Sequence, residues 1–260
     1  MEVVVLPDAG AVARLAANVV ERVLGTAPTP VLGLATGSTP VPLYAELIRR
    51  HREEGLSFAP ARAFLLDEYV GLPPDHPQRY AAVIRRALTA HVDLAPDAVH
   101  GPDGAAADLT AECARYEQSI AEAGGVDVQL AGIGHDGHIA FNEPGSSLAS
   151  LTRLKTLNGH TRAANARFFA TPEEVPRHVL TQGLGTVLRS RHLLLLATGA
   201  DKAEAVALAT EGPVSASCPA SVLQLHRHAS VLVDEPAAAA LHRRAYYDEA
   251  WAGKPSWQAL

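Results

Sequence analysis

The chain has 260 residues, 48% of them hydrophobic and 19% charged, which excludes a disordered chain and supplies apolar mass for a substantial core. Its formal net charge of -6 excludes a basic nucleic-acid-binding surface. No apolar run approaches the roughly 18 residues of a membrane-spanning helix, and Met1-Glu2-Val3-Val4-Val5 lacks the basic start of a secretory signal. A cytoplasmic protein with no nucleic-acid or membrane partner is expected.

In chain order, helical periodicity runs from Ala11 to Leu24. The apolar run Val31–Ala35 then ends in Thr36-Gly37-Ser38-Thr39 before a helical stretch, Val41 to Arg50. Ala63–Leu66 ends in Asp67-Glu68, and helical stretches follow at Arg79–Leu88 and Leu109–Ile120. Val126–Ala131 leads into a glycine-rich loop, Gly132 to Pro144. Leu193–Ala197 ends in Thr198-Gly199, and Val231–Val233 ends in Asp234-Glu235. Continuous apolar runs indicate strands covered on both faces, and their alternation with helices implies a mostly parallel sheet. The expected fold is therefore α/β: one Rossmann-like, doubly wound domain over residues 1–260 with helices on both faces. The only cysteines, Cys113 and Cys218, lack CxxC spacing and read as small core residues in a reducing compartment.

Residues 150 to 190 break this pattern. Thr152–Thr156 and Thr161–Phe169 are polar, Asn158-Gly159 suggests a turn, and Thr171-Pro172-Glu173-Glu174 has the register of a helix start. A long polar excursion of this kind is expected to form a lid, with a plain surface insertion as the alternative.

The loop Gly132–Pro144 holds the densest chemistry. Asp136, His138 and Glu143 fall within eight residues, punctuated by Gly134 and Gly137. Carboxylates bracketing an imidazole can fix its tautomer and let it move protons near neutral pH. Thr36, Gly37, Ser38 and Thr39 sit between a strand and a helix, where free amides and hydroxyls suit a phosphate, although Gly-Ser-Thr is also ordinary helix-capping chemistry. Arg167 and Lys202 are candidate cationic donors to the same anion. Asp67, at a strand tip, is a candidate general base; strand alternation keeps its neighbour Glu68 out of the same pocket. Gly132-x-Gly134-x-x-Gly137 matches the dinucleotide fingerprint only formally, because Pro144-Gly145 interrupts any long helix and no acidic residue follows at the required spacing. His135 and His138 lie in a glycine-broken loop that is a poor helix, so no metal or organic cofactor is expected.

These motifs resemble those of the glucosamine-6-phosphate deaminase/isomerase family. Asp67-Glu68-Tyr69-Val70-Gly71-Leu72, the Gly132–Pro144 loop, Ser146–Ser150 and Ala164-Asn165-Ala166-Arg167-Phe168-Phe169 carry the likeness, which runs from about Val3 to Tyr247. Phe141-Asn142-Glu143-Pro144 favours the deaminases over the related 6-phosphogluconolactonases. The resemblance implies conversion of glucosamine 6-phosphate and water to fructose 6-phosphate and ammonia without a cofactor, as in N-acetylglucosamine catabolism. By matching position, His138 would open the sugar ring with help from Asp136 and Glu143. Asp67 would carry the proton from C2 to C1, and Arg167 and Lys202 would close on the phosphate. It further implies a homo-oligomer in which Ser146, Arg153, Lys155 and Thr156 match a site for the activator N-acetylglucosamine 6-phosphate. The alternatives are a deaminase, isomerase or lactonase acting on another sugar 6-phosphate and a non-catalytic sugar-phosphate sensor.

Overall fold

The computed structural model describes residues 1–260. The chain runs β1 (Glu2–Leu6), α1 (Ala9–Thr26), β2 (Val31–Leu34), α2 (Val41–Glu54), β3 (Arg62–Leu65), β4 (Asp67–Tyr69), α3 (Tyr80–Ala87), β5 (Val99–His100) and α4 (Leu109–Glu122). It continues with β6 (Val128–Gly132), β7 (Arg153–Thr156), α5 (Gly159–Asn165), β8 (His178–Thr181), α6 (Leu184–Val187), β9 (His192–Ala197), α7 (Ala203–Glu211), β10 (Ala229–Asp234) and α8 (Arg244–Ala252). Seven strands form a sheet in the order β1-β10-β9-β6-β2-β3-β5, every neighbouring pair parallel. The doubly wound α/β expectation holds. The strand order reverses between β2 and β6, and ligands bind beyond the carboxyl ends of strands at such a point.

The apolar runs do what their composition requires. Leu193, Leu194 and Leu195 of β9 are wholly buried between β10 and β6, each worth roughly 1.5–3 kcal/mol of burial. A cluster of 51 buried residues extends from Val3 to Leu260 and takes in one face each of α1 and α2. Asp8 starts α1 by accepting a hydrogen bond from the Ala11 amide at 2.7 Å, and Asp108 caps α4 in the same way. No helix is long and apolar enough to cross a membrane. Both cysteines are buried and free.

Part of the sequence expectation needs redrawing. A second, three-stranded antiparallel sheet, β4-β8-β7, incorporates both ends of the 150–190 segment. The Leu157 amide continues the β7–β8 ladder to the Arg177 carbonyl at 2.8 Å. Buried Leu180 and Leu184 make β8 and α6 part of the interior, which narrows the projecting piece to residues 158–177. That piece carries α5 and two short 3₁₀ turns, Ala166–Phe168 and Pro172–Glu174.

At the amino ends of the strands, His192 and His228 stack with ring centroids 3.8 Å apart, and a His192 ring nitrogen lies 2.9 Å from the Ser230 hydroxyl. Burial, reinforced by His228 and other nearby cationic groups, pushes the His192 imidazole down to about 3. The folded chain therefore refuses a proton that the unfolded chain accepts below about 6.5, so this site's full stability is present above that pH. It should fall by about 1.4 kcal/mol per pH unit as the medium becomes more acidic. Denaturant midpoints measured across this range should decline less steeply for His192→Asn than for wild type.

Candidate active site

All four strand ends that carry candidate residues are neighbours: β3, β2, β6 and β9 lie side by side and point the same way. Thr36–Thr39 leaves β2, the Ile133–His138 loop leaves β6, Asp67 follows β3, and Lys202 ends the 3₁₀ turn that follows β9. The parallel sheet thus delivers all of them to its carboxyl edge, astride the switch between β2 and β6.

At the β2 end, the amides of Thr36, Gly37, Ser38 and Thr39 have no acceptor within the protein. Gly37 and Ser38 are exposed, and Gly37 adopts φ 99°, a left-handed conformation in which glycine is unstrained. Pro40 occupies the cap position of α2 and offers no competing side-chain bond. The result is a nest of N–H donors at a helix start, suited to a dianion. Lys202 is mostly buried, with its Nζ 3.2 Å from the Asp201 carboxylate. Arg167 is exposed, lies 4.7 Å from the Phe168 ring centroid and bonds none of these groups.

Asp67 occupies a crease between the two sheets. The Leu66 amide still donates to Leu34 of the parallel sheet at 3.2 Å, whereas the Leu66 carbonyl accepts from the Gln182 amide of the antiparallel sheet at 2.8 Å. Immediately after this crossing, Asp67 is 5% exposed, and its carboxyl forms no hydrogen bond within the protein. Burial, aided by the Glu68 carboxylate, pushes the Asp67 acid well above its usual range. Glu68 turns elsewhere, as strand alternation requires, and accepts hydrogen bonds from the Tyr69, Tyr80 and Ala81 amides at 2.9, 2.9 and 3.2 Å.

In the β6 loop, His138 Nδ1 lies 2.5 Å from Asp136 Oδ1, which also accepts from the His138 amide at 3.2 Å. The hydrogen bond from His138 holds the Asp136 acid down at about 2, against the opposing effect of partial burial. An ionised partner fixes the proton on Nδ1 and leaves Nε2 as the basic nitrogen. Two glycines make this possible. A Cβ on Gly134 would lie 2.1 Å from His138 Cε1, and one on Gly137 would lie 2.5 Å from Cys218 Sγ. Of the two carboxylates expected to bracket the imidazole, only Asp136 bonds it, because buried Glu143 accepts the Thr161 hydroxyl of α5.

A network missed by sequence reasoning joins Asp67 to this loop. Thr181 pairs with Asp67 across β4 and β8, and its hydroxyl accepts the Phe141 amide at 3.2 Å. Gln182 donates its side-chain amide to the Leu65 carbonyl at 3.0 Å, while its own carbonyl accepts from Asn142 Nδ2 at 2.8 Å. Asn165 of α5 donates to the Tyr69 hydroxyl at 3.0 Å, so the projecting segment is seated on both β4 and the β6 loop.

The activator candidates divide. Ser146 is buried with an unpartnered hydroxyl. Arg153 and Lys155 are half-buried on one face of β7, whereas Thr156 and Leu154 are exposed on the other, so the four residues do not form one surface. No group of three or more His, Cys, Asp or Glu side chains is arranged to hold a metal ion.

Residues 8–233 match the family model for glucosamine-6-phosphate isomerases/6-phosphogluconolactonase. A glucosamine-6-phosphate deaminase of Arthrobacter sp. is 58% identical over the full length of both chains. The solved structure of a monomeric glucosamine-6-phosphate deaminase superposes with TM-score 0.90 at 44% identity, covering 92% of this chain and 100% of that one. A 6-phosphogluconolactonase from Thermotoga maritima shares the fold, with TM-score 0.70 at 21% identity over 90% of this chain and 99% of that one. The chain belongs to the glucosamine-6-phosphate isomerase/6-phosphogluconolactonase family.

Proposed function

We propose that residues 1–260 act as one catalytic domain that converts glucosamine 6-phosphate and water to fructose 6-phosphate and ammonia. The observation that carries this reading is the gathering of an anion nest, a buried carboxyl and an imidazole–carboxylate pair on three adjacent strand ends. Full-length relatives that bear the deaminase name, and the Phe141-Asn142-Glu143-Pro144 segment, favour deamination over lactone hydrolysis.

The phosphate sits on the amides of Thr36–Thr39, with Lys202 and Arg167 as cationic partners. His138 Nε2 relays the proton between the anomeric hydroxyl and the ring oxygen, opening the pyranose, while Asp136 stabilises the imidazolium that forms. Glu143 assists this step indirectly by holding the loop against Thr161. Asp67 removes the C2 proton from the open-chain aldehyde while a proton of the C2 ammonium group moves to O1, leaving a neutral enolamine, and Asp67 then returns its proton to C1 to give the protonated C2 imine. The resulting C2 imine takes up water and expels ammonia. A carboxyl raised by burial suits Asp67, since proton transfer is most efficient when the base titrates near the working pH.

Ammonia release from glucosamine 6-phosphate in EDTA tests this reading. Turnover that is insensitive to the chelator is expected, faster than with galactosamine 6-phosphate and without hydrolysis of 6-phosphogluconolactone. Binding of glucosamine 6-phosphate without product would instead mark a sensor. A cytoplasmic location fits the two free thiols.

Self-association and activation by N-acetylglucosamine 6-phosphate are the finer part of the proposal and rest on Ser146, Arg153, Lys155 and Thr156. The split of these residues across β7, and the monomeric state given for the 44%-identical relative, weigh against it. Sedimentation velocity combined with substrate-saturation curves decides the matter. A single monomeric species with hyperbolic kinetics unchanged by the acetylated sugar would overturn it.

A further inference from the structure

We propose that His135 and His160 form a two-imidazole site for a divalent transition-metal cation, with Zn²⁺ the fitting case, and that the bound ion pins α5 onto the β6 loop. His135 lies at the tip of β6 and His160 is the second residue of α5, so the pair bridges two segments 25 positions apart. Their ring centroids are 4.5 Å apart at an interplanar angle of 55°, and both side chains are exposed. Neither ring makes a hydrogen bond or ion pair within the protein, which leaves nitrogen lone pairs free for a ligand. His138, the third imidazole of the cluster, stands 6.4 Å from His135, but its Nδ1 is already held by Asp136. The pair is therefore not the H-x-x-H motif of the sequence. It arises from the fold.

Imidazole nitrogen suits Zn²⁺, Cu²⁺ and Ni²⁺, whereas Mg²⁺ and Ca²⁺ favour oxygen. Two nitrogens at about 2.0–2.1 Å from one tetrahedral ion lie roughly 3.3 Å from each other. Exposed rings already in contact reach that separation by side-chain rotation alone, and water fills the remaining positions. The same short helix carries Thr161 and Asn165, whose bonds to Glu143 and Tyr69 seat it on the site. An ion clamping His160 to His135 adds a third attachment to α5 and slows any turnover that needs the helix to lift.

The inhibition arm rests on the deaminase reading; the binding arm does not. Calorimetric titration of the whole chain with zinc chloride should show one ion bound, with no heat from magnesium chloride. His135→Asn and His160→Asn should each weaken zinc binding about tenfold or more, equal to about 1.4 kcal/mol. In wild type, zinc should slow ammonia release and EDTA should restore it. Each variant should turn over like wild type in EDTA and resist zinc. Unchanged zinc affinity in the double variant would overturn the site. A chain that binds zinc through these two residues but releases no ammonia would uphold the site and overturn the functional reading.

Discussion

Asp67→Asn should lower ammonia release from glucosamine 6-phosphate by about 10²- to 10⁴-fold, the contribution of a positioned general base, while making the fold more stable at pH 7. The two effects share one cause. Asp67 is buried without a hydrogen-bond donor and beside Glu68, so its acid is held well above the usual range. A carboxyl raised in the folded state favours folding only below the ordinary carboxylate range, near 4, and its charged form costs stability as the pH rises above it. Asparagine keeps the shape and removes that charge. For the same reason, the acidic limb of the wild-type kcat/KM profile should lie above the ordinary carboxylate range, because Asp67 must lose its proton before it can accept one from C2. Steady-state assays and thermal melts of the pair check both effects. A variant within about tenfold of wild-type activity would remove Asp67 from the proton-transfer step.

Asp136→Asn should also cost activity, by about 10²-fold or more, but should shift stability in the opposite direction. Asp136 is held down at about 2 by the hydrogen bond from His138. A carboxyl lowered in the folded state contributes stability above its ordinary value and loses it as the pH falls toward the lowered one. The substitution should therefore lower the melting temperature at pH 7. An amide also leaves His138 free to place its proton on either nitrogen, so part of the population would no longer present a basic Nε2. Two carboxylates driven apart by their surroundings are the arrangement expected when one takes a proton and the other steadies an imidazolium. Opposite shifts in melting temperature, with losses of activity in both variants, would distinguish these roles from a general disruption of the site.

The parallel sheet was readable because its strands are buried on both faces. Val31–Leu34 and Leu193–Leu196 are apolar without interruption, and turn chemistry marks their ends. The site-bearing strand tips were readable for the same reason. The antiparallel sheet was not. Arg153-Leu154-Lys155-Thr156 sets its two charged residues on the half-covered face of β7 and leaves Leu154 exposed, the reverse of the usual apolar-in pattern, so the stretch resembles a loop. The three residues of β4 follow β3 without a turn signal, so the change of sheet that buries Asp67 left no local trace. The partner of Glu143 also escaped, because the bond from Thr161 depends on α5 folding back across 18 positions. The clearest signal available was Thr181-Gln182, two polar residues ending the apolar pair Val179-Leu180; both prove to be buried braces.

The most direct test of the account is a crystal structure with a reduced, open-chain analogue, 2-amino-2-deoxyhexitol 6-phosphate. The expected result places the phosphate on the Thr36–Thr39 amides, C1 and C2 against the Asp67 carboxyl, and the C5 hydroxyl, which is the ring oxygen in the closed sugar, against His138 Nε2. A phosphate bound elsewhere, or a ligand that contacts only one of Asp67 and His138, would contradict it.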